Sequence, residues 1–110
     1  PIGKVRMKAE NFEYYGYVNK WYEPDGFGYQ CLKMENMEHI YEGEFKRNEY
    51  HGNGKHFIYD KNGKKILEEI GFFEHDVFIF GKRILFKNGT LEEEIIEANE
   101  TQLDLNKLLD

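Results

Sequence analysis

Tyr41–Gly63, YEGEFKRNEYHGNGKHFIYDKNG, decides the fold. Strand side chains alternate with period two, so Tyr41, Gly43 and Phe45 share one face of a strand while Glu42 and Glu44 share the other. Lys46-Arg47-Asn48-Glu49 supplies a polar turn, and Tyr50 to Ile58 makes the return strand. Gly52 and Gly54 leave that strand without side chains at two places. Glycine inside a strand loses packing and entropy, so it marks a bulge or a point where another group lies on the backbone. The rings of Tyr41 and Phe45, or their copies in a neighbouring hairpin, are the groups expected there.

The pattern recurs. YYGYVNKWYEPDGFGY (14–29) and IGFFEHDVFIFGKRILF (70–86) align with it, placing Gly16, Gly43 and Gly71 in register at steps of 27 and 28 residues. Gly28, Gly54 and Gly81 form a second series at steps of 26 and 27. Fixed periods of this size signal units that bury their apolar faces against neighbours. The copies are unequal. The upstream one has Tyr14, Gly16, Val18, Gly26 and Gly28 with an extra residue near Pro24, and the downstream one keeps Gly71, Phe73 and Gly81 but has Glu69 in place of tyrosine. The downstream copy is also one residue short before Gly81. Gly3-Lys4-Val5-Arg6-Met7-Lys8 reads as a return strand like Gly54-Lys55-His56-Phe57, so the chain starts in mid-repeat.

Tyr-x-Gly-x-Phe, a short turn and Gly-x-Gly together resemble the membrane occupation and recognition nexus (MORN) repeat. Tyr41, Gly43, Phe45, Gly52 and Gly54 stand at that family's positions, with His51 before Gly52 as is typical. The resemblance covers roughly residues 12–90. It implies an all-β fold of stacked β-hairpin repeats forming an elongated, twisted, single-layer sheet. The stacking residues are then Tyr14, Gly16, Gly28, Tyr41, Gly43, Phe45, Gly52, Gly54, Gly71, Phe73 and Gly81. We expect a single domain over 1–110, comprising a half-repeat at 1–11, repeats at about 12–38, 39–66 and 67–90, and an acidic tail with a helix at 91–110. Starting in mid-repeat is expected of a piece of a longer array, or of a half-hairpin that completes itself against something else.

Composition narrows the classes. Tyr 8, Phe 9 and Trp 1 suit a thin sheet in which each ring must bury much area. Cys31 is the single cysteine, so no intrachain disulfide forms and a reducing, cytoplasmic setting is the default. No apolar stretch reaches membrane-spanning length, and no secretory leader is legible. The net charge of −6 sits in the tail: residues 91–110 hold 1 basic and 7 acidic side chains, whereas 1–90 are balanced. A near-neutral body disfavours nucleic-acid binding, which needs clustered cations, and weakens direct binding of acidic phospholipids.

Leu91 to Ile96 follows Asn88-Gly89 and is expected to form a last strand. Thr101-Gln102-Leu103-Asp104 then has the form of a helix start, and Leu105, Leu108 and Leu109 make one apolar stripe. The short helix either caps the exposed edge of the last hairpin or binds a partner. Tyr15, Tyr17, Ile70 and Phe72 are apolar on the face where Glu42 and Glu44 sit in the central copy. That face is either an interaction surface or is covered by another part of the chain or a second copy.

No catalytic set emerges. His39, His51, His56 and Asp60 lack zinc-like spacing, and His39 is assigned to a different hairpin from the others, so no metal or cofactor is expected. Glu68-Glu69 and Glu92-Glu93-Glu94 read as solvated strand edges, and Cys31 as a buried structural thiol. Gly52-Asn53-Gly54-Lys55 lacks the spacing and helix start of a phosphate loop. The family resemblance implies a non-catalytic protein-binding scaffold, cytoplasmic and associated with the cytoskeleton or membrane contacts, with protein partners that include a second copy as a homodimer. The alternative it implies is a regulatory or substrate-positioning domain of a larger enzyme, such as a lysine methyltransferase or lipid kinase. The expected partner surface comprises Tyr15, Tyr17, Ile70 and Phe72 with Leu105, Leu108 and Leu109.

Overall fold

In the computed structural model, which describes residues 1–87 and 90–96, eight strands form one open antiparallel sheet. They are β1 (Gly3–Ala9), β2 (Phe12–Val18), β3 (Pro24–Lys33), β4 (Met37–Lys46), β5 (Glu49–Asp60), β6 (Lys65–Glu74), β7 (Val77–Lys87) and β8 (Thr90–Ile96). Spatial order equals sequence order, so each strand pairs only with its chain neighbours. The three expected hairpins are β2–β3, β4–β5 and β6–β7. Among the described residues there is no helix. The predicted helix and its Leu105, Leu108 and Leu109 lie outside the described residues.

The two glycine series merge into one line. Pairing runs Gly16↔Gly28, Gly28↔Gly43, Gly43↔Gly54, Gly54↔Gly71 and Gly71↔Gly81, a row of glycines crossing six strands. The row continues to Val5 on β1 and to Ile96 on β8. This corrects the reading of Gly3 as the counterpart of Gly54, since Gly3 pairs with Val18 and Val5 holds the row position. The missing residue before Gly81 is absorbed in the register shift at Phe72/Phe73, not in the turn, and Gly71 still meets Gly81.

Tyr14 and Tyr41 explain two of the bare positions, Gly28 and Gly54, whereas at Gly16, Gly43, Gly71 and Gly81 the backbone of the facing strand lies closest and leaves no room for a side chain. Each of the two rings lies flat on its own hairpin, and a Cβ added at Gly28 would sit 2.6 Å from Tyr14 Cε1, or at Gly54 2.5 Å from Tyr41 Cζ. Each hydroxyl donates back to its own strand, Tyr14 to the Tyr17 carbonyl at 2.6 Å and Tyr41 to the Glu44 carbonyl at 2.7 Å. Gly52 plays a different part from the expected stacking role. Its φ of 99° requires glycine, and a Cβ there would meet the Glu44 carboxylate, not a ring.

The rings then pack hairpin on hairpin. Phe45 meets Tyr14 edge-on at 5.3 Å, Phe73 meets Tyr41 in the same way at 5.3 Å, and Tyr50 stacks on Tyr41 at 3.8 Å. Phenylalanine of one repeat thus locks onto tyrosine of the previous one. Tyr14, Val18, Tyr41, Phe45, Phe73 and Phe78 form the buried core on this inner face, flanked by Val5, Met7, Phe12 and Tyr50. A single sheet therefore makes its own cover by laying large rings over bare backbone.

Arg47-Asn48 and His75-Asp76 both adopt positive φ, the two-residue turn that matches strand twist. These turns also join repeats. Asn48 N–H donates to the Pro24 carbonyl at 2.8 Å, and Asp76 N–H to the Tyr50 carbonyl at 3.0 Å. Proline has no N–H to return the bond, but Tyr50 has one and gives it to the Asp76 carboxylate at 2.8 Å.

Candidate functional site

Two constellations stand out, one on the outer face of the sheet and one buried across it. On the outer face, Tyr15, Tyr17 and Ile70 are exposed and Phe72 is half-buried. Strand register places Tyr15 beside Arg6 and Tyr29, and Ile70 between Lys55 and Lys82. The four expected partner-binding residues therefore share a face but form two patches. The β2 patch has Lys4 over the rings of Tyr15 and Tyr17 at 5.5 and 5.3 Å and Arg6 over Tyr15 at 5.1 Å. The β6 patch has Phe72 stacked on Phe80 at 5.5 Å. Four strand spacings of about 4.8 Å separate them by roughly 19 Å. Glu42, Glu44, Asn53 and Lys55 occupy the ground between, with Glu44 accepting the Asn53 N–H at 2.6 Å.

A shallow trough of about 370 Å³ spans this ground. Phe27 and Ile70 stand at its apolar ends, Glu42, Lys55 and Asn53 at its sides, and Gly43, Gly54 and Gly71 line it as well. Phe27, which sequence parity also places on this face, is more exposed than any of the four expected residues, at 56%. Flanked by Gly26 and Gly28, Phe27 has no second ring beside it in the chain to mark a patch.

The buried constellation occupies the inner face, one position along from the glycine row. Register gives Tyr14↔Gln30, Gln30↔Tyr41, Tyr41↔His56, His56↔Glu69 and Glu69↔Arg83. The line carries Tyr14, Gln30 and Tyr41 on β2 to β4 and turns ionisable from β5 on, with His56, Glu69 and Arg83 all buried. Arg83 Nε donates to Glu69 Oε2 at 2.9 Å, and a second guanidinium nitrogen lies 2.9 Å from the same oxygen. Glu69 Oε1 meets His56 Nδ1 at 2.9 Å, and His56 Nε2 meets His39 Nδ1 at 2.9 Å. His39 Nε2 ends the chain 3.2 Å from Met37 Sδ. Burial first, and then His56, lower the basicity of His39 to a pKa of about 4.

Three expectations are overturned here. Glu69 is not a solvated edge: it is 3% exposed, because it occupies the slot of an inward-facing tyrosine. Its partner Glu68 does face outward, paired with Lys65 at 3.9 Å. His39 and His56 belong to one hairpin, on paired strands β4 and β5, and their rings stack at 5.2 Å. Cys31 is likewise half-buried instead of enclosed, with burial, the first cause, raising its thiol above the ordinary value. Asp60 braces a turn by accepting the Asn62 and Lys64 N–H groups, and His51 packs against Phe72.

Among the described residues no group of three or more His, Cys, Asp or Glu side chains is placed to hold a metal ion. No helix among them is long and apolar enough to cross a membrane. No family model, curated protein or solved structure matches this chain.

Proposed function

We propose that this chain is a non-catalytic protein-binding scaffold segment built from MORN-like hairpin repeats. Its outer face is the binding surface, and its partners are proteins, a second copy of the chain among them. The carrying observation is the pair of exposed aromatic patches, Tyr15–Tyr17 with Lys4 and Arg6 at one end and Ile70–Phe72 with Phe80 at the other, bridged by a trough with bare backbone. Aromatic rings dominate the energetics of protein interfaces, and contiguous exposed apolar area marks them. The cations over the tyrosines favour a partner that presents carboxylates. Nucleic acid fits poorly, because the balanced repeat body offers no basic stripe. The setting that suits such a segment is cytoplasmic, at cytoskeletal or membrane-contact assemblies.

The test is a double substitution, Tyr15→Ala with Phe72→Ala, one in each patch. Both lie on the face away from the ring stack, so the expected result is an unchanged circular dichroism spectrum and a chain that stays folded, together with loss of the captured partner or of the dimer in sedimentation. An unchanged sedimentation profile and an unchanged set of captured proteins would overturn the assignment of this face.

A further inference from the structure

The hydrogen-bond chain from Met37 to Arg83 has a proton inventory that its geometry restricts. A neutral imidazole carries one N–H, and an imidazolium carries two. His56 Nδ1 faces a carboxylate oxygen of Glu69 and is therefore a donor. If both rings are neutral, His56 Nε2 is bare, so His39 must donate to it from Nδ1. His39 Nε2 is then also bare and confronts the lone pairs of Met37 Sδ at 3.2 Å. Moving the His39 proton to Nε2 satisfies the sulfur but sets two bare nitrogens against each other at 2.9 Å. One additional proton resolves every contact. His56 then donates from both nitrogens, to Glu69 and to His39 Nδ1, and His39 donates from Nε2 to the sulfur. A second additional proton would set two N–H groups of like charge face to face.

We propose that His39 and His56 together bind one proton beyond their neutral complement, and that this shared proton closes a seam joining the second hairpin to the third. Gain of a further proton opens it. The seam crosses β4, β5 and β6 through His39, His56 and Glu69 and is anchored by Arg83 on β7. The charged side chains facing the pair are Glu69 from β6 and Arg83 from β7, and Glu94 on β8 stands opposite Arg83 in register. Tyr41 from β4 and Tyr50 from β5 also adjoin His56, and both phenols, raised further by burial, carry no charge in the acid and neutral range. The folded chain accepts the second proton on His39 only near pH 4, whereas the unfolded chain accepts it near pH 6.5. Between those values the unfolded state binds more protons, so stability rises with pH. The contribution from keeping the second proton off His39 is present above about pH 6.5, is lost as the pH falls toward about 4, and levels off below.

Long-range proton–nitrogen NMR of the imidazoles reads the inventory directly on the intact chain. The expected spectrum at pH 7 has both His56 nitrogens protonated and His39 as the neutral Nε2–H tautomer. A neutral His56 at pH 7, or two histidines titrating independently, overturns the proposal without any variant. Urea unfolding from pH 7 to 4 supplies the second arm. The His39→Gln chain keeps a hydrogen-bonding group against His56 but lacks the second proton site, so its fall in urea midpoint over this range is expected to be at most half that of the native chain. An equal fall in the two chains overturns the seam.

Discussion

A methyl group on Gly54 would press into the Tyr41 ring, with Cζ at 2.5 Å and Cε2 at 2.6 Å, and the ring is held from behind by Tyr50 and Phe73. It has nowhere to go without breaking its own hydroxyl bond to the Glu44 carbonyl. Overpacking of this kind costs about 1–3 kcal/mol or more. Gly54→Ala is expected to lower stability by at least that much in urea titration, whereas Glu42→Val on the outer face should shift it by about 0.5 kcal/mol or less. Comparable losses in the two would show that the ring does not depend on the bare backbone. This residue-scale rule was legible in the sequence, since Tyr41, Gly43 and Gly54 recur as a set. Glu69 was not. The repeat alignment puts it in a tyrosine's slot, but a carboxylate beside another carboxylate reads as surface, and only the cross-strand partners His56 and Arg83, brought in from β5 and β7, show what holds it buried there.

Hairpins are joined by their turns as well as by their rings. Arg47-Asn48 and His75-Asp76 have the same left-handed geometry, yet they contact the preceding hairpin differently. Asn48 uses its backbone N–H alone, against the Pro24 carbonyl, whereas Asp76 adds its carboxylate against the Tyr50 N–H. Glycine relieves positive φ and so favours both turns. Asn48→Gly is therefore expected to leave stability unchanged or raise it by up to about 0.5–1 kcal/mol. Asp76→Gly should lower it by about 1 kcal/mol, because a hydrogen bond to a charged group outweighs the turn preference. Matching signs for the two substitutions in urea titration would deny Asp76 a role between repeats. Strand positions and the central turn were readable from period-two alternation and the Lys46–Glu49 run. The clip was not, because it depends on which residue of the previous hairpin arrives at the turn, and Pro24 and Tyr50 share no chemistry that a sequence pattern would match.

For the molecule as a whole, the inner face titrates at alkaline pH. Burial, and then Asp25, raise the Tyr14 phenol to a pKa of about 12, and burial first also raises Tyr41 and Tyr50. The unfolded chain loses these protons near pH 10 while the folded chain retains them, so the folded state binds more protons and stability falls as the pH climbs above 10. Cooperative unfolding with simultaneous tyrosinate absorbance from the buried phenols is expected between about pH 10 and 12. Gradual ionisation of all tyrosines in a sheet that stays intact would contradict a sealed ring stack. At this scale the sequence conveyed the stack of hairpins and the shared outer face of Tyr15, Tyr17, Ile70 and Phe72. It could not convey that these four divide into two patches, since their separation is set by strand order across the sheet.

The strictly sequential pairing of β1 through β8 also has a mechanical consequence. Tension applied between Pro1 and Ile96 acts across the strands, so ladders are loaded one bond at a time as in a zipper, and no two distant segments must shear past each other together. Each repeat of about 27 residues could release roughly 90 Å of extended chain. A sheet connected in this way yields in steps under low force and re-forms from local hairpins when the load is removed.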